Sequence, residues 1–170
     1  MVKVMNSGER DFERLCAPEL RAVYCYITSR VSENDAEDVL QETLLSAWRS
    51  FGTFDWRSSV RTWLISVARR RICDFYRQRE GSPEFETDPG FDCDSGEELE
   101  KNSASRIDVA NALGSLDSSD RELVTLVFDS GLSYEEVGEV VGIPVGTVKS
   151  RMFSIRKRLR AKLGEGYHEL

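Results

Sequence analysis

The 170-residue sequence predicts an all-α protein of two small helical domains, residues 8–80 and 106–164, joined by a flexible acidic linker over 81–105. Three observations carry that prediction. Apolar residues recur every three or four positions through both halves, which is the period of a helix face and not of a strand. A Gly-, Ser-, Pro- and acid-rich stretch with little apolar content separates the two halves. Residues 133–152, SYEEVGEVVGIPVGTVKSRM, read as two short helices around a tight turn.

Taken in order, residues 9–31 place Phe12, Leu15, Leu20, Val23, Tyr24, Ile27 and Val31 at helical spacing. Pro18 interrupts them, which predicts a short helix followed by a longer one. Ser32 and Asn34 are good caps for a helix over about 35–51 that ends at Gly52. Val39, Leu40, Leu44, Ala47, Trp48 and Phe51 form its core stripe. Asp38, Gln41, Glu42 and Leu45 share an adjoining face, an acidic and amide patch with an apolar centre. Spacing alone fits either a solvated face or a docking surface for a basic helical partner.

A polar loop over 53–59 carries Trp56, and a helix follows with Val60, Trp63, Leu64, Val67, Ile72 and Phe75 as its core candidates. From Arg57 to Arg79 there are seven Arg and one Asp. Guanidinium groups hold phosphates while aromatic faces accept unstacked bases, so this mixture suits single-stranded or opening DNA. A basic surface without DNA contact remains the other reading. Trp56, Arg57, Arg61, Arg69, Arg70, Arg71 and Arg77 are the candidate contacts.

Beyond the linker, Ile107, Val109, Ala110, Leu113 and Leu116 resume the helical period. Asp117 caps a helix carrying Leu123, Val124, Leu126, Val127 and Phe128, which Gly131 ends. Ser133 with Glu136 is a capping box, and Val137, Val140 and Val141 share one face of the helix it opens. Gly142 and Pro144 stop that helix. Gly138 costs about 1 kcal/mol relative to Ala in a helix interior and predicts a close crossing of the two helices. Val148, Met152, Ile155, Leu159 and Leu163 then make one apolar stripe, while residues 149–162 hold seven Lys or Arg and no acid. Two helices, a Gly-containing turn and a basic second helix are what a DNA-reading helix-turn-helix requires.

The net charge of −7 looks wrong for a DNA binder until it is divided along the chain. Residues 1–80 are +1, residues 106–170 are −1, and residues 81–105 alone are −7. Local basic stripes, not the whole-chain charge, are the useful observable. No run of about 18 apolar residues exists and the N-terminus MVKVMNSGERDF has no apolar signal region, which predicts a cytoplasmic protein without membrane insertion. Cys16, Cys25, Cys73 and Cys93 are irregularly spaced, with His168 the single histidine. They read as buried thiols or bystanders, and no metal or cofactor is expected. No nucleophile–base pair is visible, so the chain is not expected to be an enzyme.

The segment LSYEEVGEVVGIPVGTVKSR resembles the C-terminal promoter-reading domain of extracytoplasmic-function (ECF) sigma factors, bacterial transcription initiation factors. DAEDVLQETLLSAWR resembles the family segment that binds core RNA polymerase, and VRTWLISVARRRICDFYRQR the element that reads and opens the −10 promoter sequence. The resemblance covers nearly the whole chain in order. It implies a region 2-like helical bundle followed by a region 4-like helix-turn-helix. It further implies that Asp38, Gln41, Glu42 and Leu45 dock on the clamp helices of the polymerase largest subunit. The flap of the second-largest subunit is a second implied polymerase contact.

The resemblance also implies −35 reading through Lys149, Ser150, Phe153 and Ser154, with Arg151, Arg156 and Lys157 as packing or phosphate contacts. Promoter DNA and an anti-sigma protein are implied partners. Three departures stand out: Arg70 where many members have Asn, Ser154 where Arg is common, and Asp117–Ser118 where Pro is frequent. The acidic linker is either a solubilising tether or a nucleic-acid mimic inside the polymerase; fully extended it reaches at most ~90 Å. The competing reading is a two-domain helix-turn-helix regulator that binds duplex DNA without sigma activity. A sigma-like decoy that binds polymerase but does not read DNA is a third.

Overall fold

A computed structural model describes residues 7–79 and 103–163 and contains eight α-helices and no strand among them. The chain divides into two compact units, Met1–Glu86 and Thr87–Leu170. The acidic stretch over 81–105 falls outside the described residues except for its last three, and Cys93 and His168 fall outside as well.

In the first unit, α1 (Ser7–Cys16) and α2 (Leu20–Thr28) flank a tight turn, Ala17–Glu19, that contains Pro18. The second helix is not the longer one. It stops at Thr28, where the Thr28 hydroxyl donates to the Tyr24 and Cys25 carbonyls, both at 3.1 Å, and the Ser29 hydroxyl to Tyr26 at 2.7 Å. Hydroxyls that satisfy the last carbonyls remove the incentive to add a turn. α3 (Glu33–Ser50) follows Ser32, which holds the extended cap conformation, but its hydroxyl donates to the Asp35 carboxylate at 2.6 Å and caps no backbone N–H. α4 (Val60–Gln78) is capped by Ser59, whose Oγ accepts from the Thr62 N–H at 3.1 Å.

The core of this unit is Val23, Tyr26 and Ile27 from α2, Ala36, Val39 and Ala47 from α3, and Leu64, Ile65, Ala68 and Ile72 from α4. α2, α3 and α4 pack against one another pairwise. Tyr76 closes the far end by donating its hydroxyl to the Arg30 carbonyl at 2.5 Å, and burial pushes its pKa up. Trp48 was expected in this core and is 40% exposed. The buried positions of α3 are 36, 39, 43 and 47, so Leu40, Leu44 and Trp48 lie along the edge of the stripe. Thr43 can occupy the inner face because its hydroxyl donates to the Val39 carbonyl at 2.7 Å. Cys16 and Cys73 are free thiols, and Cys16 is buried.

In the second unit, α5 (Ser103–Gly114) begins three residues before the expected boundary at 106. Arg121 closes its C-terminal end by donating to the Gly114 and Leu116 carbonyls, each at 3.1 Å. α6 (Ser118–Val124) is capped by Asp117, whose carboxylate accepts from the Asp120 N–H at 2.8 Å. The Ser119 hydroxyl, and then that backbone N–H, hold Asp117 below the usual carboxylate range. The helix widens into one π-helical turn, Thr125–Asp129, before Gly131 at φ 66° ends it. Phe128 rides this wide turn and is 47% exposed.

α7 (Tyr134–Val141) opens on the capping box: the Glu136 N–H donates to Ser133 Oγ at 3.2 Å, and the Ser133 N–H to the Glu136 carboxylate at 2.9 Å. Gly142 terminates it in the left-handed region at φ 79°. The Pro144 carbonyl accepts from Thr147 and Val148 and so starts α8 (Val145–Leu163). Gly138 is required by a close approach, but of the turn and not of two helix bodies. A Cβ there would lie 2.8 Å from the Ile143 carbonyl oxygen and 3.6 Å from the Val145 nitrogen. Val148, Met152, Ile155 and Leu159 are buried along the inner stripe of α8.

One buried carboxylate ties α8 to α6. Asp120 is 5% exposed. Its Oδ1 accepts from Arg151 Nε at 3.0 Å and Nη2 at 2.6 Å, and its Oδ2 pairs with Arg158. Arg151 Nη2 also donates to Ser119 Oγ at 2.5 Å. Two arginines two turns apart on one helix thus close on a single carboxylate. Asp120→Asn is expected to cost about 1–3 kcal/mol, below the 3–5 of a fully buried pair because the Arg151 and Arg158 side chains are 31% and 49% exposed. Thermal unfolding of the full chain measures it. Gly138→Ala is expected to lose about 1–3 kcal/mol by overpacking against the Ile143 carbonyl, despite the better helix propensity of Ala. An unchanged or raised Tm would show that the turn can shift without cost.

Candidate nucleic-acid and partner interfaces

Three separate surfaces hold the sequence-predicted site residues. The first is the outer face of α3. Asp38, Gln41, Glu42 and Leu45 are all exposed, and Leu45 is 47% exposed. Offsets of three, four and seven residues put them on one face. None of the four takes part in a hydrogen bond or ion pair among the described residues. The fold makes no use of this face. Trp48 continues it by one turn, and its ring meets Phe12 edge-on at 5.3 Å.

The second surface is α4 with the loop before it, and its arginines are not equivalent. Arg61 is engaged by Glu19 at 2.5 Å. Arg71 and Arg77 both pair with Asp74, at 2.8 and 2.9 Å. Arg57 pairs with Asp55 at 3.0 Å but stays 88% exposed. Arg69 is half-buried. Arg70 is exposed and makes no hydrogen bond or ion pair among the described residues, which leaves its guanidinium free for a ligand. Arg79, left out of the candidate set, is occupied by Asp35 at 2.8 and 3.0 Å and lies over the Phe75 ring. The Ser32 hydroxyl and, after it, this guanidinium hold Asp35 below its ordinary range.

The loop between α3 and α4 carries a run of aromatic rings. Phe54 stacks on Trp63 with centroids 4.8 Å apart and planes 23° off parallel, and Trp56 lies 4.7 Å from Phe54 on a tilt. Phe51 joins them from the end of α3, 6.2 Å from Trp63 and 6.3 Å from Trp56. Trp56 is 59% exposed and sits at φ 60°, the one non-glycine residue with positive φ among those described. A bulky side chain in the left-handed region costs on the order of 1–3 kcal/mol. Asp55 holds the turn, its carboxylate accepting from the Arg57 N–H at 3.3 Å while pairing with the Arg57 side chain.

The third surface is the outward side of α8. Lys149, Ser150, Phe153, Ser154 and Lys157 are all exposed, and Phe153 reaches 72%. Ser150 and Ser154 return their hydroxyls to the Thr147 and Ser150 carbonyls, at 3.0 and 3.2 Å. Lys149 meets Glu135 at 3.5 Å across open solvent, a contact worth little. Arg151 is placed apart from these five, turned toward α6 and held by Asp120. Its contribution is to orient the helix. Asp120 itself escaped sequence reading, because an acid at a helix start resembles an ordinary capping residue.

An apolar cavity of about 160 Å³ also lies in the second unit, lined by Val109 and Leu113 of α5, Phe128, and Met152, Ile155 and Leu159 of α8. Among the described residues, no helix is long and apolar enough to cross a membrane.

Comparison with known proteins agrees across both units. The Sigma-70 region 2 family matches residues 15–81, and the Sigma-70 region 4 family matches residues 112–161. The ECF RNA polymerase sigma factor SigK of a Mycobacterium species is 31% identical, covering 96% of this chain and 90% of its own length. The ECF RNA polymerase sigma-E factor of Haemophilus influenzae is 27% identical, over 95% and 92% of the two chains. Among solved structures, the sigma factor RpoE of Bartonella quintana, in complex with the anti-sigma factor NepR, has a TM-score of 0.71 and 27% identity, with 93% of this chain and 99% of that one covered. CnrH in complex with the cytosolic domain of CnrY has a TM-score of 0.60 at 27% identity, covering 93% of this chain and 90% of that one. Two family matches in the expected order, and a relative above 30% identity along almost its full length, lead to one conclusion: the chain belongs to the ECF sigma factors, which direct RNA polymerase to promoters.

Proposed function

We propose that the three surfaces divide the work of a sigma factor among them. The α3 face of Asp38, Gln41, Glu42 and Leu45 docks on the clamp helices of core RNA polymerase. Its exposure without internal partners is the observation that carries this reading, since carboxylates and an amide around an exposed leucine are a surface left for a basic, partly apolar partner. The α4 stripe and the loop before it, with Trp56, Arg57, Arg61, Arg69, Arg70, Arg71 and Arg77, face the −10 element as it opens. Arg70 and Arg57 offer the most accessible guanidiniums, and the arginines paired to Glu19 and Asp74 shape the surface around them.

On the outward side of α8, Lys149, Ser150, Phe153, Ser154 and Lys157 meet the −35 element in the major groove. Lysines there hold phosphates, and the exposed Phe153 ring suits apolar contact with a thymine methyl. The two DNA-reading units are linked by the acidic segment, which keeps a sequence-independent repulsion from nucleic acid between two attractive surfaces. Nucleotide chemistry stays with the core enzyme on this reading, which places the chain in the cytoplasm. An anti-sigma protein is the expected regulator, as two similar structures are complexes with an anti-sigma factor or a cytosolic partner domain.

The docking assignment is tested by the affinity of the full chain for core polymerase. Gln41→Ala is expected to weaken binding about tenfold, and the charge reversal Glu42→Lys by more, as for residues at the centre of an interface. Circular dichroism should be unchanged for both, because neither side chain has a structural partner among the described residues. Undiminished binding by both variants would move the polymerase contact to another surface.

A further inference from the structure

We propose that Asp120 is a specificity-determining residue that withholds Arg151 and Arg158 from DNA phosphates. This rests on the reading of α8 as the helix that meets the −35 element. It goes further by giving a buried side chain of another helix a role in telling one duplex from another. Residues 149–162 carry seven Lys or Arg and no acid. A helix so charged is drawn to any duplex, since phosphate contacts carry no sequence information. The acid that limits this comes from α6. Asp120 is 5% exposed, accepts from Arg151 through Oδ1 and pairs with Arg158 through Oδ2.

The positions of the two arginines on α8 give the withdrawal its effect. At about 100° per residue, Lys149, Ser150, Phe153, Ser154 and Lys157 span an arc of roughly 140°. Arg158 and Arg151 lie roughly 40° and 60° beyond its Ser154 edge. A long side chain at that edge can turn to α6 or to the phosphates that flank a groove. Both turn to α6, and Arg151 is enclosed further, its Nη2 lying 2.5 Å from Ser119 Oγ and 3.9 Å from Asp117. Arg158 has no second hydrogen bond or ion pair among the described residues, so it is the first to swing outward when the carboxylate is lost. On an unrelated duplex the helix can take whatever register satisfies its cations, whereas base contacts fix its register on the −35 element. Extra cations therefore favour the unrelated duplex more.

The test reads the salt dependence of binding, which counts phosphate contacts. Holoenzyme is reconstituted from core polymerase and the full chain and kept below the temperature of strand opening. It is bound to a duplex that it selects from a random library and to the same duplex with the −35 element scrambled. Asp120→Asn is expected to bind the scrambled duplex more tightly at low salt and to narrow the preference for the selected one. Between about 50 and 200 mM salt, each arginine freed should add a further factor of roughly 3 to 4 to the loss of affinity. Arg151→Gln with Arg158→Gln, placed in the Asp120→Asn background, should return the dependence to its original value. In the otherwise unsubstituted chain, Arg158→Gln should leave the dependence unchanged, since that cation is already withheld, whereas Lys157→Ala should make it shallower.

Thermal melting of each variant separates this role from a structural one. A chain that had only lost stability would bind both duplexes more weakly with no steeper salt dependence, and that result for folded Asp120→Asn overturns the proposal. A shallower dependence for Arg158→Gln alone overturns it as well, by showing the arginine already on a phosphate; this arm decides if Asp120→Asn does not fold. A steeper dependence that survives removal of both arginines traces the effect to the lost acid and also overturns it. An unchanged dependence for Lys157→Ala overturns the DNA-facing reading of α8, and a holoenzyme that selects no fragment overturns the sigma reading, each taking this inference with it.

Discussion

The second unit of this protein depends on one buried carboxylate. Asp120 takes Arg151 with both Oδ1 bonds and Arg158 with Oδ2, and that fixes the roll of α8 about its own axis. An amphipathic helix can slide or roll on an apolar floor at small cost, since hydrophobic contact has no direction. Charge-assisted hydrogen bonds supply the direction. With Arg151 drawn inward, the outward positions are those of Lys149, Ser150, Phe153, Ser154 and Lys157. Gly138 provides the complementary constraint: the turn backbone closes on it at a distance that excludes a Cβ, which sets the entry angle of α8.

The first unit meets a different requirement, since it must offer two unlike surfaces from two adjacent helices. α3 buries a narrow stripe at positions 36, 39, 43 and 47, two of them alanine, and so keeps a full outer face for carboxylates and Leu45. α4 buries Leu64, Ile65, Ala68 and Ile72 and spreads arginines around the remainder. Local acids decide which arginines stay available. Glu19 and Asp74 engage Arg61, Arg71 and Arg77, and Asp55 engages Arg57, which leaves Arg70 as the exposed candidate arginine without an ion pair among the described residues. A count of basic residues along the sequence does not reveal this partition.

Much of the fold was legible because its signals are local. The capping box at Ser133 and Glu136, the cap at Asp117 and the stop at Gly142 each depend on residues within a few positions of one another, and the structure reproduces all three. What escaped depends on distance in sequence or on competition between good local choices. Asp120 meets its arginines 31 and 38 residues away, beyond the reach of periodicity. Trp48 is apolar at helical spacing, yet it falls at the edge of the α3 stripe and emerges into solvent. The left-handed backbone at Trp56 had no sequence signal, because nothing about a tryptophan announces a positive φ. On α8 the resemblance grouped Arg151 with Lys157 as packing or phosphate contacts, and the structure separates them: Arg151 turns inward to Asp120 while Lys157 faces outward.

The central claim is that this chain converts core polymerase into a promoter-specific enzyme through these faces. Run-off transcription on library-selected fragments, with core polymerase in the presence and absence of the full chain, tests it most directly. The account predicts discrete transcripts that require the chain, start at one position on each fragment and disappear with Glu42→Lys. Tight binding of the free chain to duplex DNA, with no chain-dependent transcript, would contradict the account and favour a helix-turn-helix regulator without sigma activity.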